Sequence, residues 1–255
     1  MGFIPAVPSF APAIARSGGV AGVADTLIVS DLHLGLPASR PSDLLRVLET
    51  WRFDQLILLG DVFHDVGLRH LCADTWRLLG HLRGLGARRE AEVVWVSGNH
   101  DRHLAPVLAK LLGVEVRESF DWTCGGRAYH ALHGDRFDSF VNDYARLAGL
   151  LSRLYAFSMR WLSRRGEWPQ RLDRLGVAAL GLGDAVARGA ERYAGGLPID
   201  VIVCGHTHEP RHRVLGLTGP SGRGVEYVNT GAWLERPASF VTVDAARGVT
   251  LNRCP

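Results

Sequence analysis

The stretch Thr26-Leu27-Ile28-Val29-Ser30-Asp31-Leu32-His33-Leu34-Gly35 decides how this chain is read. Its first half is a short apolar run, the pattern of a strand buried on both faces. Its second half is a polar Asp-x-His turn at the end of that strand. The arrangement returns four times in order. Gln55 to Leu59 leads into Gly60-Asp61, and Glu92 to Ser97 into Gly98-Asn99-His100-Asp101. Ala128 to Leu132 leads into His133-Gly134-Asp135, and Val201 to Cys204 into Gly205-His206-Thr207-His208. Any one of these motifs is common by chance; the ordered set is not. Loops at the carboxyl ends of strands are where α/β folds build their sites, so five loops are expected to meet at one edge.

Those loops pool carboxylates, one amide oxygen and imidazoles, a mixture that suits Mn²⁺, Fe²⁺ or Zn²⁺. Two such ions about 3.5–4 Å apart activate water and clamp phosphoryl oxygens, the needs of phosphoester hydrolysis. A carboxylate must bridge them, and Asp61 beside Gly60 is the natural candidate. His133, His206 and His208 read as neutral imidazole ligands, since His-x-His lets one loop aim two rings at neighbouring ions.

The rest of the chain is consistent with a folded, ordinary scaffold. It has 255 residues, 47% apolar and 22% charged, enough for one sizeable core. No apolar stretch approaches a membrane-spanning length. Residues 1–24 are small, apolar and Pro/Gly-containing, and read as a flexible arm rather than a signal peptide. Cys72, Cys124, Cys204 and Cys254 lack CxxC spacing, so reduced thiols in a cytoplasmic protein are expected. Of the 29 basic residues only Lys110 is lysine. Genome composition or bidentate recognition of phosphate would each favour Arg.

Helices are expected over Pro41 to Trp51, around Cys72 to Leu85 and around Leu104 to Leu112. In the last third, Val201 to Cys204, Val225 to Val228, Phe240 to Val243 and Val249 to Asn252 read as strands. With Ala128 to Leu132 they are assigned to a second sheet, giving two mixed sheets flanked by helices. A helix-forming insertion, 137–195, interrupts this scheme. Phe140, Tyr144, Leu147, Leu151, Leu154 and Trp161 form an apolar stripe, and residues 136–174 carry eight Arg against four acids. Two readings stay open: a hairpin packed on itself, or an amphipathic lid for an anionic lipid surface or an acyl substrate.

The ordered motifs resemble those of the calcineurin-like metallophosphoesterases. The resemblance implies an α/β fold, a four-layer αββα sandwich of two mixed sheets, over residues 25–255. It further implies one metal ion on Asp31, His33, Asp61 and His208, and a second on Asp61, Asn99, His133 and His206. His100 would stabilise the transition state or protonate the leaving group, and Asp101 would orient it. Two divalent ions are implied, Mn²⁺ first, with Fe²⁺ or Zn²⁺ as alternatives.

A narrower resemblance, to UDP-2,3-diacylglucosamine hydrolases, rests on His133-Gly134-Asp135-Arg136-Phe137-Asp138, the insertion, and Asn229-Thr230-Gly231-Ala232-Trp233-Leu234-Glu235. It implies a nucleotide-linked lipid as substrate, cut at its diphosphate to release UMP. It also implies peripheral contact with the cytoplasmic face of the inner membrane, and Asn229 at the edge of the site. Arg102, after the Gly-Asn-His-Asp motif, reads as a phosphate contact with a helix-start salt bridge as the alternative. Arg136, beside His133, reads as a substrate contact or a residue that fixes the loop. Two positions depart from that family. One of its branches has Arg at the place of His100, and many relatives have an acid at the place of His64. His64 reads as a surface histidine, with a supporting place beside the site as the alternative. Asp135 reads as an acceptor that orients a metal ligand. His70, His81, His103, His130 and His212 read as ordinary histidines. The competing readings are a phosphodiesterase for soluble nucleotides or nucleic acid and a non-catalytic metal-binding scaffold. The apolar insertion argues against a stable nucleic-acid partner.

Overall fold

The computed structural model describes residues 20–65, 71–87, 90–137, 182–234 and 236–254. The chain runs β1 (Gly22–Val23), β2 (Thr26–Val29), α1 (Pro41–Thr50), β3 (Trp51–Arg52), β4 (Gln55–Leu59), α2 (Ala73–Ala87), β5 (Glu92–Val96) and α3 (Ala105–Leu112). It continues with β6 (Glu115–Arg117), β7 (Ser119–Cys124), β8 (Arg127–Leu132) and a 3₁₀ turn, Asp135–Phe137. Then come α4 (Leu182–Ala194), β9 (Val201–Cys204), β10 (Arg211–Thr218), β11 (Gly224–Asn229), β12 (Ala238–Asp244) and β13 (Gly248–Cys254).

Two mixed sheets result, one of six strands in the order β13-β12-β2-β4-β5-β6, the other of five in the order β10-β11-β9-β8-β7. Alternation of side chains along each strand explains how they stack. Ile28, Ile57, Leu59, Val94 and Val96 point inward and meet Tyr129, Ala131, Val201, Val203 and Val228 of the other sheet. The residues between them, Leu27, Val29, Leu56, Leu58, Val93 and Trp95, point outward against Leu44, Leu48, Leu78, Leu82 and Ala109 of α1, α2 and α3. On the far face Leu132, Ile202, Cys204 and Tyr227 pack on Ala187, Ala190 and Ala194 of α4. These strands are apolar on both sides because each is covered on both sides. The result is the αββα sandwich.

Four expectations change in detail. Phe240 to Val243 and Val249 to Asn252 do not join the second sheet. Their strands β12 and β13 extend the first, with Val241 antiparallel to Ile28. Trp51 leaves α1 in an extended conformation and starts β3, which pairs parallel with β1. Gly22 and Val23 therefore already belong to ordered structure, whereas residues 1–19 of the arm lie outside the described residues. Of the insertion, 138–181 likewise lies outside them. Leu182–Ala194 is α4, so the C-terminal end of that span forms the outer layer of the sandwich rather than a lid. Among the described residues no helix is long and apolar enough to cross a membrane. None of the four cysteines forms a disulfide.

Candidate metal centre

All five motif loops leave their strands at one end of the sandwich, and main-chain bonds tie the first to the second and the fourth to the fifth. Asp31 N–H donates to Gly60 O at 3.0 Å, His33 N–H to Asp61 O at 2.9 Å, and Gly205 N–H to His133 O at 2.9 Å. Among the described residues the only non-glycine residues with positive φ are Asp31, His33, Asp61, His206 and His208. Such backbone costs about 1–3 kcal/mol per residue and collects at functional sites. Three glycines of the motifs have a steric reason. A Cβ at Gly60 would strike the His133 ring, one at Gly98 the Asp61 carboxylate, and one at Gly205 the Asp31 carboxylate.

The side chains converge into groups whose ligand atoms lie within 4.8 Å of one another: Asp31, His33 and His208; Asp61, His133 and His206; and His33, His64 and His100. In the first, His33 Nε2 lies 3.0 Å from His208 Nε2, and His208 Nε2 lies 3.3 Å from Asp31 Oδ1. In the second, His133 Nε2 lies 3.3 Å from Asp61 Oδ2 and 3.2 Å from Asn99 Oδ1. Asp61 stands between them. Its Oδ2 is also 3.8 Å from His33 Nε2 and 4.0 Å from His100 Nε2, while Oδ1 accepts the His100 N–H at 2.9 Å.

Burial sharpens this arrangement. Asp31, His33, Asp61 and His133 are each at most 3% exposed. Burial alone would raise the Asp31 and Asp61 carboxyls. The hydrogen bond and charge of His208 outweigh it for Asp31, and those of His133 for Asp61, so both are held low. Burial, with the charge of His208, pushes His33 down to about 3, so its ring is neutral and offers a lone pair. Burial also works against charge on His133, but Asp61 prevails and raises it to about 10. His133 Nδ1–H donates to Leu59 O at 3.0 Å, which turns Nε2 toward Asp61. Two carboxylates, an amide oxygen and four imidazoles brought together in this way fit divalent metal.

His64, read from the sequence as a surface histidine, belongs here. Its ring stacks on His100 with centroids 5.0 Å apart, and its carbonyl oxygen accepts the His100 Nδ1–H at 2.9 Å. Its position three residues past Asp61 was the one signal for it. Asp101 does not orient the His100 ring. It is fully buried, and its carboxylate accepts the N–H groups of Gly98 at 2.8 Å and Val62 at 2.7 Å, tying two site loops together. Nor does Asn229 face a substrate. It is fully buried and donates to Gly205 O at 2.6 Å and Thr207 Oγ1 at 3.2 Å, bracing the loop of His206 and His208. Trp233 is a core aromatic whose backbone N–H holds Asp31 O at 3.1 Å. Asp135 takes the Arg102 guanidinium at 2.6 Å rather than a metal ligand, joining the turn after β8 to the loop after β5. Arg136 lies over the Tyr193 ring and 3.9 Å from Glu118. His130 pairs with Asp121 and His212 with Glu226, both away from the site. His70 lies outside the described residues.

A family profile described as calcineurin-like phosphoesterase matches residues 25–210. The chain belongs to that family, and it is a metallophosphoesterase-type hydrolase. Solved structures similar to it include an archaeal phosphodiesterase at 14% identity, covering 89% of this chain and 98% of that one, with a TM-score of 0.46. Vps29 from Entamoeba histolytica complexed with zinc shows 16% identity, covers 89% and 97%, and has a TM-score of 0.46. A metallophosphoesterase from Sphaerobacter thermophilus shows 18% identity, covers 90% and 88%, and has a TM-score of 0.44. Likeness at this level bears on no residue's role. No curated protein sequence matches the chain.

Proposed function

We propose that the centre holds two divalent cations, Mn²⁺ by preference, and cleaves a phosphoric anhydride or ester. The observation that carries this is Asp61 Oδ2. One carboxylate oxygen lies within 4.0 Å of imidazole nitrogens from both ligand groups, the place of a bridging ligand. Asp31, His33, Asp61 and His208 would hold one ion, and Asp61, Asn99, His133 and His206 the other. When bound, the pair makes water a nucleophile near neutral pH and neutralises charge on the phosphoryl oxygens.

The protein's own groups do the rest. His100 is anchored through Nδ1, so Nε2 is the atom that faces the centre and gives a proton to the leaving oxygen. Asp101 acts by keeping the loops after β4 and β5 in register. Arg102 and Arg136, both exposed, would meet further substrate phosphate by exchanging their present partners.

For the substrate we favour a nucleotide-linked diacyl sugar, UDP-2,3-diacylglucosamine, cut to UMP and the lipid sugar phosphate. The support is the sequence around His133 and Asn229 together with the basic, apolar stripe of 137–195. Work at the cytoplasmic face of the inner membrane follows from that substrate. A phosphodiesterase for soluble nucleotides is the second reading. It is favoured by the 38% exposure of the His100 side chain, which leaves the reacting end open to solvent. Release of UMP by Mn²⁺-loaded protein, compared with hydrolysis of bis-p-nitrophenyl phosphate, separates the two. UMP release far above the small diester supports the lipid substrate; turnover of the diester alone removes it.

A further inference from the structure

We infer that His64 is a positioning residue that fixes the ring states of two site histidines at once, through two different groups. The inference rests on the dinuclear reading above and goes beyond it by giving that centre a support built from imidazole. The backbone first pins His64 in place. Its N–H donates to Leu34 O at 3.1 Å, and Leu34 and Phe63 form a parallel bridge, so the loop after β4 lies along the loop that carries Asp31 and His33.

The side chain serves His33. When His33 Nε2 faces a cation, its proton must sit on Nδ1 and needs an acceptor, a role often filled by carboxylate or carbonyl. Here the group beside His33 Nδ1 is His64 Nδ1, 3.4 Å away. The two rings stand at 63°, with centroids 5.5 Å apart, and the tautomer decides which Nδ1 donates; a proton on His33 Nδ1 makes His64 Nδ1 the acceptor. His64 then carries its own proton on Nε2.

The main chain serves His100. His64 O accepts the Nδ1–H of His100, leaving Nε2 toward Asp61, and the His64 ring stacks on the His100 ring at 24° to hold its tilt. Replacing the side chain therefore removes the acceptor for His33 while leaving the carbonyl for His100.

This asymmetry gives the test. His64→Phe keeps a stacking ring and the carbonyl but has no acceptor; His64→Asn places Oδ1 where Nδ1 stood. Mn²⁺ affinity of metal-stripped protein is measured by electron paramagnetic resonance, and hydrolysis of bis-p-nitrophenyl phosphate is followed at saturating Mn²⁺. The Phe variant is expected to bind one Mn²⁺ about 10–100-fold more weakly, with KM for the diester little changed, and the Asn variant to recover most of the loss. His64→Ala asks the same question if the Phe variant does not fold. Wild-type affinity in the Phe or Ala variant, or an Asn variant as weak as Phe, overturns the inference while wild-type binding and turnover leave the dinuclear reading intact. A wild-type protein that binds no Mn²⁺ overturns both.

Discussion

The two ends of the sheet sandwich both bury charge, but they settle it differently. At the end where β8, β9 and β11 begin, Arg127, Glu226 and Asp200 meet protein partners. Arg127 pairs with Glu226 at 2.6 Å, and Asp200 accepts the N–H groups of Ala128 and Ser221 at 2.9 Å each. The hairpin there turns on Gly125 and Gly126, which take positive φ without penalty. At the end where the same strands stop, Asp31, His33, Asp61, His206 and His208 hold left-handed backbone, and ligand-type atoms crowd together. His33 Nε2 stands against His208 Nε2, and His133 Nε2 against Asn99 Oδ1. The first end is settled by ion pairs and backbone hydrogen bonds. The second gathers a donor set suited to divalent cations, on backbone that carries strain.

The contrast can be broken most severely at Asp61. Asp61→Ala is expected to release metal and to lower kcat/KM by about 10³-fold or more, because both ions lose a shared ligand. Metal analysis and diester turnover check it, and undiminished metal would remove the bridging role. His100→Ala should separate chemistry from binding. Metal content stays, while kcat falls by about 10²-fold or more through loss of the proton donor; unchanged turnover would discard that role.

Smaller effects fall on stability. Mn²⁺ at about 100 times its Kd should stabilise the fold by about 2.7 kcal/mol, raising Tm by roughly 5–10 °C, and chelation should reverse it. Thermal scans of stripped and loaded protein read this directly; no shift would mean that the site end needs no cation. At the other end, Arg127→Met should cost about 1–3 kcal/mol by leaving Glu226 without its guanidinium, yet spare metal content and kcat. A loss of metal in that variant would erase the distinction between the two ends.

Much of this was legible in the sequence, for a physical reason. A strand buried on both faces reads as an unbroken apolar run, and Thr26 to Val29, Gln55 to Leu59 and Val201 to Cys204 stand out against the polar loops that follow. The ligand residues are legible because they occupy those loops. Sheet membership was not. The strand at Ala238–Asp244 is far in sequence from Thr26–Val29 and near β11, and only the pairing of Val241 with Ile28 reveals its sheet. Arg211–Thr218 alternates weakly and carries charge at an edge, so it leaves no apolar run to read. Adjacency misled at Asp101. Next to His100 in sequence, it turns the other way, into the backbone of two loops. His64 was missed because a lone histidine acquires meaning only when its loop is laid beside Asp31 and His33. Asn229 resembles a substrate contact in motif and is an anchor in fact, a difference that only burial exposes.

The central claim is that Asp61 joins two cations in one centre. Counting Mn²⁺ bound per chain, in metal-stripped wild type and in Asp61→Ala titrated side by side, tests it most directly. Two ions are expected in the wild type, with at least one lost in the variant. One ion or none in the wild type, or an unchanged count in the variant, would contradict it.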